Sequence, residues 1–231
     1  DPIVGYGHRG HEKMGENRIY RQFLPNTSRM DYLSGMLYNH GFVLAVEKLA
    51  GIDVPERARY IRTIASELNR ISSHLLWFGT YLMDLGGFTP FLYAFDDREQ
   101  ILDILDRVSG SRLTYSYCRF GGVVRDIDAK FIDMTRAFLK RMEGRWADYD
   151  SLVTKNVIFI HRTKDVGVID SELARQYGVT GPNLRAAGVG FDVRRAEPYE
   201  IYDRFDFEVP IGAKGDALDR YHVRFREMQQ S

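Results

Sequence analysis

Cysteine is almost missing from this chain: its 231 residues include one, Cys118. A lone thiol excludes an internal disulfide and fits a reducing compartment. It also excludes an iron–sulfur cluster wrapped by this chain alone, which normally takes about four cysteines. No run of about 18 apolar residues occurs, so no segment reads as a membrane span. Neither sign of charge dominates, with 32 basic and 32 acidic residues and zero formal net charge. That balance argues against a nucleic-acid partner, for which a basic stripe is expected. Lysine is scarce beside arginine, which suits planar, bidentate contacts at interfaces. No signal peptide, lipidation motif, repeat, low-complexity segment or Pro/Gly/Ser-rich linker is read in these residues, which are expected to begin mid-protein. What remains is 44% hydrophobic and 28% charged, ample for a packed core.

The clearest predicted element opens at Asp53, with Glu56 as its capping-box partner and Pro55 in the first turn. Ile61, Ile64, Leu68, Ile71, Leu75, Phe78 and Leu82 then alternate at spacings of three and four, and Gly86-Gly87 stops the seam. Ala65, Leu76 and Trp77 lie off the seam, so neighbours are expected on several sides. At about 1.5 Å per residue this helix should be roughly 45–50 Å long. A second helix is predicted over about 30–50, ending near Gly51, with Phe42, Val46 and Leu49 in the core. A third follows the Asp97 region through Ile101, Ile104, Leu105 and Val108 to Gly110. A fourth runs from about 128 to 153 through Phe131, Met134, Phe138, Met142 and Trp146.

These elements predict a mainly α fold, a long-helix bundle, in one domain over 1–231 that is incomplete at both ends. The bundle should occupy about 9–155 and an irregular α+β region about 156–231. In the latter, Val157-Ile158-Phe159-Ile160 and Phe205-Asp206-Phe207-Glu208-Val209 read as short strands. Asp1 to Tyr6 reads as the tail of another strand. Asp216 to Ser231 has a helical pattern without a stop signal, as if the helix continued.

Two strings carry the chemistry. Gly7-His8-Arg9-Gly10-His11-Glu12-Lys13 precedes Arg29-Met30-Asp31-Tyr32-Leu33-Ser34, which is similar to the R-x-C-G-x-C string of nickel–iron hydrogenase large subunits with both cysteines replaced. Soft thiolates select nickel and iron where carboxylate and hydroxyl do not, so Asp31 and Ser34 are expected to be vestigial ligand positions holding no metal. Further matching segments are Leu44–Leu49, Val54–Ala58, Thr89–Phe95, Arg119–Val123, Leu184–Gly188, Asp192–Arg195 and Pro198-Tyr199. With these in order over essentially its whole length, the chain resembles the D-type, quinone-site subunits of proton-pumping NADH:quinone oxidoreductases (respiratory complex I). That family keeps the hydrogenase large-subunit fold without its metals.

That resemblance implies a set of roles. Tyr32 would hydrogen-bond a quinone carbonyl, the quinone being ubiquinone or menaquinone as substrate. The alternative reading is a tyrosine packed in a helix turn. Asp84, in Leu82-Met83-Asp84-Leu85-Gly86-Gly87, would pair with a histidine upstream of residue 1. Placed at a helix C-terminus among apolar neighbours, it is expected to favour its neutral form. The bland alternative is a solvated helix-end aspartate. Arg9 and Arg29 would lie near a [4Fe–4S] cluster held by a small partner subunit, where positive charge favours the reduced form. Thr114 and Tyr115 stand where many relatives carry a histidine near that cluster, so the cluster's potential is expected to respond weakly to pH through this position.

The implied partners are the small cluster-bearing subunit, a C-type protein of the same complex and membrane subunits. The implied place is the peripheral arm, on the cytoplasmic face of the inner (cell) membrane, without a span of its own. The enzyme would be the assembled translocase, with the isolated chain inactive. No NADH site is expected, since no Gly-x-Gly-x-x-Gly fingerprint is read behind a strand. His8 and His11 could meet on a helix face but lack a third ligand for zinc. His74 reads as an interior or interface residue, and Cys118 as a small buried hydrophobe. Three rivals stand beside this reading: a ferredoxin- or deazaflavin-dependent complex with the same kind of subunit, an active membrane-bound nickel–iron hydrogenase, and a scaffold with no occupied site.

Overall fold

A computed structural model describes residues 5–231. The short helices α1 (His11–Glu16) and α2 (Tyr20–Thr27) lead into four longer ones, α3 (Gly35–Ala50), α4 (Glu56–Asp84), α5 (Phe88–Ser109) and α6 (Ala129–Tyr149). Between α5 and α6 lies a hairpin, with β1 (Cys118–Arg119) antiparallel to β2 (Gly122–Val123). It is the one sheet among the described residues. The chain then runs through α7 (Val157–Thr163), α8 (Ser171–Gln176), α9 (Gly181–Ala186) and α10 (Val193–Ala196) to α11 (Ala217–Gln230).

The axis of the fold is α4, whose 29 residues give about 43 Å of helix. Its seam is buried at Ile61, Leu68, Ile71, Leu75, Phe78 and Leu82, while Ile64 remains 37% exposed. The expected capping box is not formed: Pro55 occupies the N-cap and Asp53 lies outside the helix. At the far end Gly87 N–H reaches back to Leu82 O at 2.7 Å, and the chain turns directly into α5. Thus α5 starts at Phe88, well before the Asp97 region, because a proline near the helix start removes an N–H that has no partner there anyway. α3, α5 and α11 flank the long helix and α6 packs on α5, in keeping with the apolar positions of α4 off its seam.

Within α3, Leu49 is 77% exposed whereas Val43 is fully buried, so the expected core of that helix shifts by part of a turn. α6 begins where its sequence indicates. Asp128 accepts a bond from Phe131 N–H at 2.9 Å, and the last turn widens over Asp150–Thr154.

The two strands expected after Lys155 are not strands. Asn156 accepts bonds from Ile158 and Phe159 N–H and caps a helix, so Val157–Ile160 coils, burying Phe159 and Thr163 one turn apart. A run of four apolar residues fits either state, and the cap decided it. Phe205–Val209 finds no partner strand. Phe207 is held instead by the guanidinium groups of Arg194 and Arg195, at 4.5 and 4.3 Å from its ring centre. The strand expected at Asp1–Tyr6 falls largely outside the described residues, and Tyr6 itself lies in a turn. Among the described residues the strands that pair are those of one mid-chain hairpin, and neither strand expected after Lys155 forms.

Candidate functional site

Residues 29–34 were expected to begin the second helix but form a tight turn ahead of it. Asp31 Oδ1 accepts Leu33 N–H at 3.2 Å, a local bond that competes with helix formation. Ser34 N–H bonds Asp31 O at 3.1 Å, and Ser34 sits at the N-cap of α3 without making a side-chain cap. Asp31 and Ser34, the two positions expected to be vestigial ligand sites, thus take part in turn geometry. Among the described residues no three of His, Cys, Asp and Glu come together as a metal-binding group.

The Tyr32 ring projects from this turn and is 52% exposed. The N-terminal string packs beside it, with Arg9 Nη2 donating to Met30 O at 2.9 Å. Arg29 donates to Pro25 O and to Ser28 Oγ and is exposed. From the other side comes the segment after α5. A Cβ on Gly35 would lie 2.9 Å from Ser28 O and 3.4 Å from Leu113 O, so glycine lets these two backbone segments close on the turn. This brings Thr114 and Tyr115 to the same neighbourhood as Arg29. Tyr115 is buried, donates its hydroxyl to Arg112 O at 2.9 Å, and has its pKa pushed up to about 12 by burial. Arg9, Arg29, Tyr32 and the 113–115 segment therefore share one end of the molecule.

Asp84 does not join them within this chain. It ends α4, fifteen residues after Asn69, which touches the Tyr32 turn; that is about 22 Å along the axis. Its side chain is exposed, so the apolar surroundings expected from its sequence neighbours are not formed by the described residues.

The other singled-out residues are placed as follows. Gly5-Tyr6-Gly7-His8-Arg9-Gly10 has Gly-x-Gly-x-x-Gly spacing, with no strand before it among the described residues. It opens a six-residue helix, and no parallel strand accompanies it among the described residues, so the context of a dinucleotide cradle is absent there. His8 accepts Gly10 N–H at 3.1 Å, and the buried ring nitrogens of His11 have no partner among the described residues. His74 is interior, and burial together with Arg70, Arg224, Arg194 and Arg185 lowers its pKa to about 3. Cys118 is fully buried, and that burial raises its thiol pKa to about 12.

Sequence reasoning missed what holds this end together. On α4, Arg62, Ser66 and Asn69 are buried polar residues at spacings of four and three, lying on one face toward α3. Arg62 pairs with Glu47 and Glu200, and Ser66 Oγ meets His40 Nδ1 at 2.9 Å. His40 Nε2 meets Glu200 Oε1 at 2.8 Å, and Asn69 bonds the turn itself. The available signal was a set of polar side chains at helical spacing beside an apolar seam.

Comparison with known proteins gives a consistent picture. The family model described as "Respiratory-chain NADH dehydrogenase, 49 Kd subunit" matches residues 84–231. A protein of Syntrophobacter fumaroxidans named as the D subunit of NADH-quinone oxidoreductase is 76% identical over the whole chain, and one of the same name from Desulfotalea psychrophila is 58% identical. A protein of Aquifex aeolicus named as a C/D subunit of NADH-quinone oxidoreductase is 49% identical, with the chain covering 39% of its length. The chain spans 62% of the length of the first two curated relatives.

Proposed function

The chain belongs to the family of the 49 kDa subunit of respiratory-chain NADH dehydrogenase, and on that footing we propose that it lines the quinone-reduction cavity of an NADH:quinone oxidoreductase. The observation that carries this reading is the Tyr32 turn. A half-exposed phenol stands where a metal-binding string of related proteins has its glycine, flanked by Arg9 and Arg29 and by the 113–115 segment.

A phenol suits the task. Its ring offers apolar surface to a prenylated quinone, and its hydroxyl donates to a carbonyl oxygen on which negative charge grows during reduction. Arg9 and Arg29 add fixed positive charge, which favours electron-rich states nearby. A [4Fe–4S] cluster in a small partner subunit supplies the electrons; the single, buried Cys118 cannot provide a ligand set for such a cluster here. Reduction to the quinol takes two electrons and two protons. Tyr32 orients one carbonyl, and Asp84 sets the protonation state of a histidine contributed from outside this sequence. With Thr114 and Tyr115 beside the cluster, its potential responds weakly to pH through this position.

The rest of the assembly follows the same reading: a C-type neighbour, as the C/D relative suggests, membrane subunits, and a place in the peripheral arm. No helix of the described residues is long and apolar enough to cross a membrane. NADH binds elsewhere in the complex.

The test is Tyr32→Phe in the intact complex. Loss of one hydroxyl donor should lower quinone-reductase kcat/KM on the order of 100-fold while electron delivery to an artificial acceptor upstream is retained. Unchanged quinone turnover would leave the chain a scaffold. Nickel or iron found bound to the subunit at Asp31 and Ser34 would return it to the hydrogenases.

A further inference from the structure

We infer that Asn69 is a positioning residue for quinone reduction, holding the Tyr32 turn from the middle of α4. The inference rests on the proposed role of Tyr32 and adds to it a residue that touches neither quinone nor cluster.

Asn69 is 2% exposed, and both ends of its amide are used on the turn. Oδ1 accepts Met36 N–H at 3.1 Å, and Nδ2 donates to Leu33 O at 3.2 Å. The first bond satisfies one of the N–H groups that the start of α3 leaves without an intrahelical partner. Ser34, at the N-cap, does not supply that bond, so the cap comes from another helix. The second bond holds the carbonyl of Leu33, whose N–H is already taken by Asp31 Oδ1. The residue after Tyr32 is thereby fixed at both of its backbone polar groups.

The amide serves both partners only in this orientation. Exchanging its oxygen and nitrogen would set donor against donor at Met36 and acceptor against acceptor at Leu33. At Gly35 an added Cβ would lie 2.9 Å from Ser28 O and 3.4 Å from Leu113 O, so neighbouring backbone packs closely on the residue that follows the turn. A buried, doubly bonded anchor under an exposed phenol is the arrangement that presents a ring in one direction. Below it, Ser66–His40 and Arg62–Glu47 tie the rest of α3 to the same face of α4, so the turn is referenced to the longest helix of the fold.

The experiment uses the assembled complex with Asn69→Leu, Asn69→Asp and Tyr32→Phe in parallel. Each is assayed for quinone KM and kcat and for electron transfer to an artificial acceptor ahead of the quinone. Leucine fills the space but makes neither bond, and should lower kcat/KM for quinone by about tenfold or more with upstream transfer unchanged. Aspartate separates positioning from folding within one preparation. A neutral carboxyl can donate to Leu33 O and accept from Met36 N–H, whereas a carboxylate cannot donate. Quinone turnover of Asn69→Asp should therefore recover toward the native value as pH falls, a limb missing from the native profile. This variant also decides the matter if Asn69→Leu fails to assemble. Native KM and a native pH profile in the Asn69 variants, beside an impaired Tyr32→Phe, would overturn this inference alone. An unimpaired Tyr32→Phe would remove the reading of the site and this inference with it.

Discussion

Arg62 and Glu47 meet in a buried two-point ion pair, Nη2 to Oε1 at 2.6 Å and Nη1 to Oε2 at 3.0 Å. The same guanidinium donates to Arg119 O and Gly122 O in the hairpin and to Glu200 Oε1. One side chain on α4 thus joins α3, the hairpin and a distant loop. Glu200 reaches it with a backbone φ of 52°, in the left-handed region that non-glycine residues seldom occupy without compensation. Hydrogen bonds from His40 and Arg62 offset the cost of its burial and hold its carboxyl below the usual range.

Arg62→Met should therefore be among the most damaging single changes in the molecule. It leaves Glu47 and Glu200 buried, with only the His40 imidazole and Arg59, the latter 4.0 Å away, close to Glu200, and the loss should be about 3–5 kcal/mol. Urea unfolding would measure it, and a loss below about 1 kcal/mol would contradict the role given to this pair.

Glycines of α3 should respond in opposite directions. Gly35→Ala forces a methyl group against Ser28 O and should cost about 1–3 kcal/mol while disturbing the Tyr32 turn. Gly41 has nothing within 4 Å of an added Cβ and lies inside the helix, so Gly41→Ala should stabilise by about 0.5–1 kcal/mol. Thermal melts of the two variants, side by side, give the comparison.

Asp128 caps α6 and pairs with Arg107, and that pairing lowers its pKa to about 2. An unfolded aspartate titrates near about 3.9. A depressed native pKa contributes stability that is present above about pH 4 and is lost as pH falls toward about 2. Asp128→Asn keeps a capping oxygen but removes the charge. The stability difference between native protein and variant should shrink across that window and stay constant above it.

Cys118 should be inert in the folded protein. Its thiol is fully buried and its pKa is raised to about 12, so little thiolate exists at pH 8. A disulfide reagent should react with it only on the timescale of unfolding. Rapid stoichiometric labelling of the native protein would show that the α3–hairpin packing opens readily.

The long helices were legible because each has a period and an end. The seam from Ile61 to Leu82 and the glycines at 51, 86 and 110 depend on neighbours a few residues away. Val157–Ile160 was misread because four apolar residues carry no period, and a single asparagine before them decided the matter. Phe205–Val209 was misread because a strand exists only if another strand lies beside it, and none does among the described residues.

The site divides along the same line. Linear order alone marked Tyr32, Asp31 and Ser34, because a substituted ligand string is a local pattern. What brought Arg9, Tyr32 and the 113–115 segment to one end, and left Asp84 about 22 Å further along α4 from Asn69, was packing between segments remote in sequence. Asn69 bonds residues 33 and 36 positions earlier, and Glu200 bonds a helix 138 positions earlier. Chemical identity and helix period are properties of neighbouring residues, and so they were readable in the chain. Which polar group meets which inside the fold depends on the three-dimensional path of the backbone, and only tertiary structure decided it.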